Sequence, residues 1–382
     1  MTQQAPNSTW AFANPVKIFF GAGILQKLPE TVTIRGEILL LTSPGHTRRG
    51  LTERITGMLP DRKIRVVDST TPNPQIEDIR KLLIQLEPWK PDAIVAAGGG
   101  SVIDTAKAIA FALGLKGNEK NLKEILKTPT SLHHDPITPV VAIPTTSGTG
   151  SEVTPFATLW DLEEKRKYSI DSPRLFPAAA LVDPELTYSL PLAETAATAL
   201  DAFAQAFDSL ANRRRTPISE LFARASFSGL LAILPEIEQG LRSPGIRELL
   251  SRFSLLSGLA ISQSRTSLSH AISYPLTAHH RIPHGAASAF VVPQLADCLG
   301  NSSNRVNATL LPSIPQDVRK ALCTLVNQAS PEFAALDTGG LGSLVPEMNQ
   351  PGRADNFPEE LSTPDLESII ARALNDISSV RN

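Results

Sequence analysis

The sequence predicts a two-part molecule: an α/β domain on a parallel sheet over residues 1–190, then an all-α domain over residues 191–382. Three observations carry this. Short apolar runs alternate with helically spaced stretches through the first half. Two of those runs lead straight into segments of glycine, serine and threonine. Beyond Asp183-Pro184 and Ser189-Leu190-Pro191 the chain turns to Ala, Leu, Ser and Arg, and strand-like runs almost vanish.

The elements follow in order. Lys17–Phe20 precedes Gly21 and Gly23. Ile38–Leu41 is a continuous apolar run ending in Thr42-Ser43-Pro44-Gly45. Ile64–Val67 is a weaker run, interrupted by Arg65. Ala93–Ala97 runs into Gly98-Gly99-Gly100, and Val140–Ile143 into Pro144-Thr145-Thr146. Strands this apolar belong to a parallel sheet covered on both faces. Gly50–Met58 and Glu77–Leu86 have helical spacing between them. In the second half, Ala193–Gly240 and Ile246–Ser269 have helical spacing, punctuated by Ser243-Pro244-Gly245. Ala289–Val292 is ambiguous between strand and helix. Asp337–Glu359, with several Gly, Pro and Asn residues, predicts an irregular connection before a last helix, Thr363–Leu374.

Bulk properties narrow the class. The chain has 382 residues, too many for one small core. Hydrophobic residues make up 42% and charged residues 19%, as in a packed globular protein. The net charge is −2 with no basic block, which argues against nucleic acid or an anionic membrane as partner. Cys298 and Cys323 are spaced for neither a zinc knuckle nor a redox pair, so reduced thiols and a cytoplasmic setting are expected. Met1–Thr9 is polar and no run reaches membrane-span length, so neither signal peptide nor transmembrane helix is expected.

Chemistry concentrates in three places. Gly98-Gly99-Gly100-Ser101, followed by Asp104 and Lys107, joins a buried strand to a helix. Backbone N–H groups there can approach phosphate oxygens at a helix N-terminus. A tight turn with no ligand uses the same residues, and neither GxGxxG nor a P-loop is present. Pro144-Thr145-Thr146-Ser147-Gly148-Thr149-Gly150-Ser151-Glu152 crowds hydroxyls and glycines at the next strand end, suited to pyrophosphate, ribose and nicotinamide amide, or to a polar capped loop. Binding sites in such sheets lie at those strand ends. Asp201 and Gln205, four apart, share one helix face. With His270 and His284 they suit a divalent metal, although each histidine alone is as consistent with a hydrogen-bonded structural residue.

Together these residues resemble the iron-containing (group III) alcohol dehydrogenase family, over most of the chain. The resemblance rests on Gly98–Ser101 with Asp104, Pro144–Glu152, Asp183-Pro184-Glu185-Leu186-Thr187, Asp201, His270 and Pro283-His284-Gly285. It implies a dehydroquinate synthase-like fold with an N-terminal dinucleotide-binding domain and a helical metal-binding domain. It implies Asp201, His270 and His284 as metal ligands and Lys167 as a coenzyme-binding lysine. Gln205 stands where the family usually has another ligating histidine, which weakens the iron assignment: iron is favoured, with zinc or manganese as alternatives. Ser43 stands where NAD-preferring members often have an aspartate, and Arg48 and Arg49 follow. An arginine pairs with a 2′-phosphate that a carboxylate would repel, which favours NADP, or use of both NADP and NAD; solvated helix arginines are the competing reading.

Within the family, Ser264–Thr277 looks most like the phosphonoacetaldehyde reductases, which make 2-hydroxyethylphosphonate in phosphonate natural-product pathways. Arg265, five residues before His270, is then expected on the same helix with its guanidinium on the phosphonate. Hydride would pass from the reduced nicotinamide to a metal-polarised aldehyde, with protons relayed through Tyr274, His279 or His280. The expected partners are a small aldehyde or alcohol and, at most, a second copy in a homodimer. Two rivals are a dehydroquinate-synthase-like lyase, which regenerates its NAD, and a binding protein that has lost catalysis.

Overall fold

The computed structural model describes residues 9–115, 122–127, 137–161, 163–164, 166–240, 243–336, 341–349 and 351–380. Six strands, β1 (Lys17–Phe20), β2 (Glu37–Leu41), β3 (Lys63–Val67), β4 (Ala93–Gly98), β5 (Val140–Pro144) and β8 (Ala179–Val182), form one sheet in the order β1-β8-β5-β4-β2-β3. Every pairing is parallel. The missing alternation in the apolar runs has a direct cause. Leu39 and Leu41 pack under α2 (Ile76–Leu86) and α3 (Gly100–Leu113), while Ile38 and Leu40 of the same strand pack against Leu25, Leu28, Leu51 and Ile55 opposite. Leu51 and Ile55 belong to α1 (Leu51–Met58). A strand buried on both faces has no polar face to show.

Two features were not legible as strands. β8 inserts between β1 and β5, and β6 (Phe156–Asp161) with β7 (Arg166–Asp171) makes a separate antiparallel hairpin. The hairpin is short and carries polar residues on one side, so its signal is weak.

The helical half contains α4 (Leu192–Leu210), α5 (Pro217–Glu238), α6 (Pro244–Ser264), α7 (Leu268–His280), α8 (His284–Ala289), α9 (Val292–Gly300), α10 (Gln316–Ala329) and α11 (Thr363–Ser379). Ala193–Gly240 is therefore two helices. The second starts at a capping box in which Thr216 and Ser219 satisfy each other's backbone N–H. Ile246–Ser269 is also broken, at Arg265, whose φ of 67° ends α6. Ala289–Val292 is no strand: Ala289 ends α8, Val292 opens α9, and Phe290 and Val291 form the turn between them. Within 337–359 lie a short helix, Val345–Met348, and a 3-10 turn, Ala354–Asn356; residues 337–340 and 350 lie outside the described residues. By length and composition α5 could cross a membrane, contrary to expectation, yet its Phe227, Leu230 and Leu234 are buried in the helical core.

Candidate active site

The sheet brings the two polar loops together. Gly98 pairs with Pro144 across β4 and β5, and the Thr145 N–H donates to the Gly98 carbonyl at 3.0 Å. Gly100 and Ser101 open α3 with no side chain capping their N–H groups, which leaves these donors for an anion. Gly100, Ser101, Asp104 and Thr149 line a cleft of about 270 Å³. The Thr145 hydroxyl is buried with no hydrogen-bond partner. Ser147 is turned away, bonded to the Ser251 hydroxyl at 2.8 Å. Asp104 accepts from the Ser151 hydroxyl at 2.5 Å and the Thr158 N–H at 2.9 Å, tying α3 to the second loop and the hairpin. Burial raises its carboxyl above the usual range, against the pull of Lys107. Lys107 itself is buried and donates to the carbonyls of Ser151, Thr154 and Phe156.

The opposite wall comes from the helical half. Asp201 and Gln205, one turn apart on α4, are both buried and both line the cleft. Asp208, two turns on from Asp201 and fully buried, accepts from the N–H groups of Ser267, Ser269 and His270 where α7 begins. It also bonds His270 Nδ1 at 2.8 Å, so the ring turns Nε2 to within 3.4 Å of Asp201 Oδ1. His284 opens α8. Gly285 beside it has no room for a side chain: a methyl there would meet the Ala197 carbonyl and the Asp201 N–H. That contact presses α8 onto α4 and brings His284 to Asp201. The ligand atoms of Asp201, His270 and His284 all lie within 4.8 Å of one another.

The three residues fit a divalent cation. Asp201 Oδ1 is buried without a hydrogen-bond partner, an arrangement that calls for a cation. Burial would raise the Asp201 carboxyl, but the His270 ring beside it and the His284 imidazole hold it below its ordinary value. Burial and the Lys167 charge pull His284 well below its usual value, leaving a neutral imidazole with a free lone pair. Gln205 differs: its Oε1 accepts from the Ser257 hydroxyl at 3.1 Å and its Nε2 donates to the Thr149 carbonyl at 3.2 Å. One lone pair of the Oε1 remains for a cation.

Lys167, on β7, and Tyr274, on α7, line the same cleft. The Lys167 Nζ lies 3.9 Å from the Tyr274 ring centroid, and that ring stacks on His284 with centroids 5.7 Å apart. Ser43, Arg48 and Arg49 follow β2 at the same edge of the sheet but do not line the cleft; Arg48 and Arg49 are exposed, and Ser43 Oγ bonds His46 Nδ1 at 2.7 Å.

Three expectations need correction. Arg265 is not on the helix of His270. It sits at the break before α7, with its guanidinium paired to Asp171 at 2.6 Å and stacked over Phe156, so its charge is already met. His279 and His280 do not face the cleft. Each residue of α7 rises by about 1.5 Å, so nine or ten residues beyond His270 the chain is about 14 Å away, at the rim. There His279 bonds Glu347 at 3.1 Å, and His280 is exposed.

Sequence reasoning missed Asp208, Asn73 and Arg353. The Asn73 N–H donates to the Ser101 hydroxyl at 3.2 Å from a left-handed backbone (φ 55°), for which its Pro72-Asn73-Pro74 context was the available signal. Arg353 lines the cleft from the irregular segment before α11, where no periodicity marks any residue.

Residues 15–184 match the family described as iron-containing alcohol dehydrogenase, and residues 195–329 match the Fe-containing alcohol dehydrogenase family, C-terminal. The chain is 35% identical over 279 residues to a phosphonoacetaldehyde reductase from Streptomyces viridochromogenes, covering 72% of this chain and 68% of that one. It is 29% identical over 298 residues to alcohol dehydrogenase 4 of Saccharomyces cerevisiae, covering 76% of each. A sulfoacetaldehyde reductase from Bifidobacterium kashiwanohense, solved in complex with NAD+, superposes with a TM-score of 0.84 at 26% identity over 96% of this chain and 99% of that one. An iron-containing alcohol dehydrogenase from Thermotoga maritima gives 0.81 at 27% identity over 96% and 100%.

Proposed function

Because the chain belongs to the iron-containing alcohol dehydrogenase family, we propose that it reduces phosphonoacetaldehyde to 2-hydroxyethylphosphonate with NAD(P)H. The family makes it a metal- and NAD(P)-dependent alcohol dehydrogenase or aldehyde reductase. The finer substrate assignment is supported by the likeness to phosphonoacetaldehyde reductase, together with the Lys167 and Arg353 side chains in the cleft lining. The observation that carries the chemistry is the clustering of Asp201, His270 and His284 across the cleft from the uncapped start of α3.

When bound, a divalent cation on Asp201, His270, His284 and Gln205 would polarise the carbonyl as a Lewis acid, and the nicotinamide would supply hydride. The chain supplies the geometry. The Gly98–Ser101 N–H groups would hold the pyrophosphate, and Thr145, Thr146 and Thr149 would hold the ribose and amide. Asp104 and Lys107 keep the two loops in register. Lys167 adds positive potential near the coenzyme. Tyr274 walls the cleft, and burial raises its hydroxyl above the usual range, so Oη stays protonated and can donate to the product oxygen. Ser43, Arg48 and Arg49 favour NADP by leaving no carboxylate against a 2′-phosphate.

The direct test is loss of reduced-nicotinamide absorbance with the purified, metal-loaded chain and an aldehyde panel that includes phosphonoacetaldehyde. Turnover of that aldehyde with net NAD(P)H consumption supports the assignment; no net consumption points to the lyase class. A second reading, reduction of an uncharged short aldehyde, draws on the apolar Phe156, Trp160 and Ile261 in the cleft lining, and propanal in the panel tests it.

A further inference from the structure

Beside the cleft lies a second cavity of about 670 Å³, lined by Glu164, Arg166, His279 and Glu347 among others. Trp160, Lys167, Tyr274 and Arg353 line both spaces and so form the partition between them. None of the residues of the two coenzyme loops lines the second cavity.

Arg353 is held in this partition by a tied-down loop. Gly352 has φ 104°, a left-handed conformation that disfavours any side chain, and its N–H donates to the Asp355 carboxylate. Three residues on, Asn356 Nδ2 donates to the Thr266 carbonyl at 2.8 Å, and the Arg213 N–H donates to the Asn356 carbonyl at 2.7 Å. Phe357 is buried. The loop is thereby bolted to the end of α4 and the start of α7, the two helices that carry Asp201 and His270.

The guanidinium on this loop is under-used. Its Nη2 donates to the Ser169 hydroxyl at 3.3 Å and its Cζ lies 4.8 Å from the Tyr274 centroid. Among the described residues no carboxylate pairs with it, whereas Arg265, Arg319 and Arg224 each have one. Lys167 also lies against the Tyr274 ring, and the carboxylates that act on it are Asp104 and Asp201, which leaves Arg353 as the cation of this ring without an ion-pair partner among the described residues. Burial, and after it the Arg353 charge, pull the Lys167 ammonium well below its usual range. A guanidinium stays charged under such repulsion and offers a planar fork of donors that matches a tetrahedral oxyanion. One ring away, Tyr274 stacks on His284. Asp201, His270, His284 and Arg353 line one cleft, so a short molecule in it can meet both the three-residue cluster and the guanidinium.

We infer that Arg353 is a specificity-determining residue: its fork takes the phosphonate or sulfonate head of a short aldehyde whose carbonyl lies among Asp201, His270 and His284. This rests on the anionic-aldehyde assignment above and names the group that recognises the anion.

The test compares wild type, Arg353→Lys and Arg353→Ala, each metal-loaded, in three measurements: the ratio of kcat/KM for phosphonoacetaldehyde to that for propanal, inhibition of propanal reduction by methylphosphonate, and the NADPH dissociation constant. Arg353→Ala should lower the selectivity ratio roughly 10- to 100-fold, the scale of one charge-assisted pair, and weaken methylphosphonate inhibition in parallel. Arg353→Lys should recover only part, because it keeps the charge and loses the fork; it also carries the test if Arg353→Ala does not fold. A ratio unchanged within about threefold overturns the inference, while wild-type turnover of phosphonoacetaldehyde would leave the reductase assignment standing. NADPH binding weakened as much as phosphonate selectivity also overturns it, by assigning the guanidinium to a coenzyme phosphate. A wild type that neither reduces phosphonoacetaldehyde nor responds to methylphosphonate removes both.

Discussion

Asp208 Oδ2 lies 2.8 Å from His270 Nδ1, and the same carboxylate accepts three backbone N–H groups at the start of α7. One buried side chain thus caps a helix and orients an imidazole on it. Because Nδ1 is held, Nε2 is the nitrogen left for a cation. Asp208→Ala should lower metal affinity roughly 10- to 100-fold. It should also lower stability by about 1–3 kcal/mol through the orphaned N–H groups. Metal titration and thermal unfolding of the metal-free protein separate the two effects. Unchanged metal affinity would show that His270 needs no such support.

His270→Ala should remove both metal and activity, since few strong donors are present. Gln205→His should keep or raise metal affinity, because imidazole is the better donor, although the new ring gives up the bonds to Ser257 and the Thr149 carbonyl. Metal content by elemental analysis checks both. Full metal retention in His270→Ala would place the site elsewhere.

Ser43→Asp should shift the NADP-to-NAD preference towards NAD, by roughly tenfold or more where the new carboxylate and a 2′-phosphate are close and poorly solvated. His46, bonded to Ser43 and pulled down to about 4 by burial and Arg49, is neutral at pH 7 and would not offset the new charge. Steady-state kinetics with both coenzymes decide it; an unchanged ratio removes Ser43 from the adenine-ribose pocket.

Lys107→Met should cost about 3–5 kcal/mol, because it strands three carbonyls and takes the cation away from Asp104 and Glu152. Burial lowers the Lys107 ammonium to about 8 from 10.5. Between those values the unfolded chain binds more protons than the folded one, so this group's contribution rises with pH across the window and is lost as pH falls through about 8. Unfolding free energies between pH 8 and 10 should therefore climb more steeply in wild type than in Lys107→Met. Equal slopes would contradict the depressed value.

Much of this was legible in one dimension. The strand runs ending at Leu41, Ala97 and Ile143 could be read because a doubly covered strand must be apolar throughout, and the polar loops after them because strand ends face a crevice. Asp201, His270 and His284 stood out through residue type and resemblance. Arg265 misled for the same reason: a cation near a histidine in sequence looks like a cation near it in space. Its left-handed backbone breaks the helix there, and Asp171, nearly a hundred positions earlier, supplies the counter-charge.

By itself, the sequence determined the apolar strands β1 to β5, the two-part division and the kinds of side chain available for catalysis, because periodicity and chemical type are local properties. Tertiary structure alone decided which charges are met and which are free. Asp208 finds His270 because the end of α4 meets the start of α7, and Arg353 reaches the cleft because Asn356 fastens its loop to both helices. Those pairings depend on distances between segments far apart in the chain, set by close packing of buried surfaces, and close packing leaves no period in the sequence.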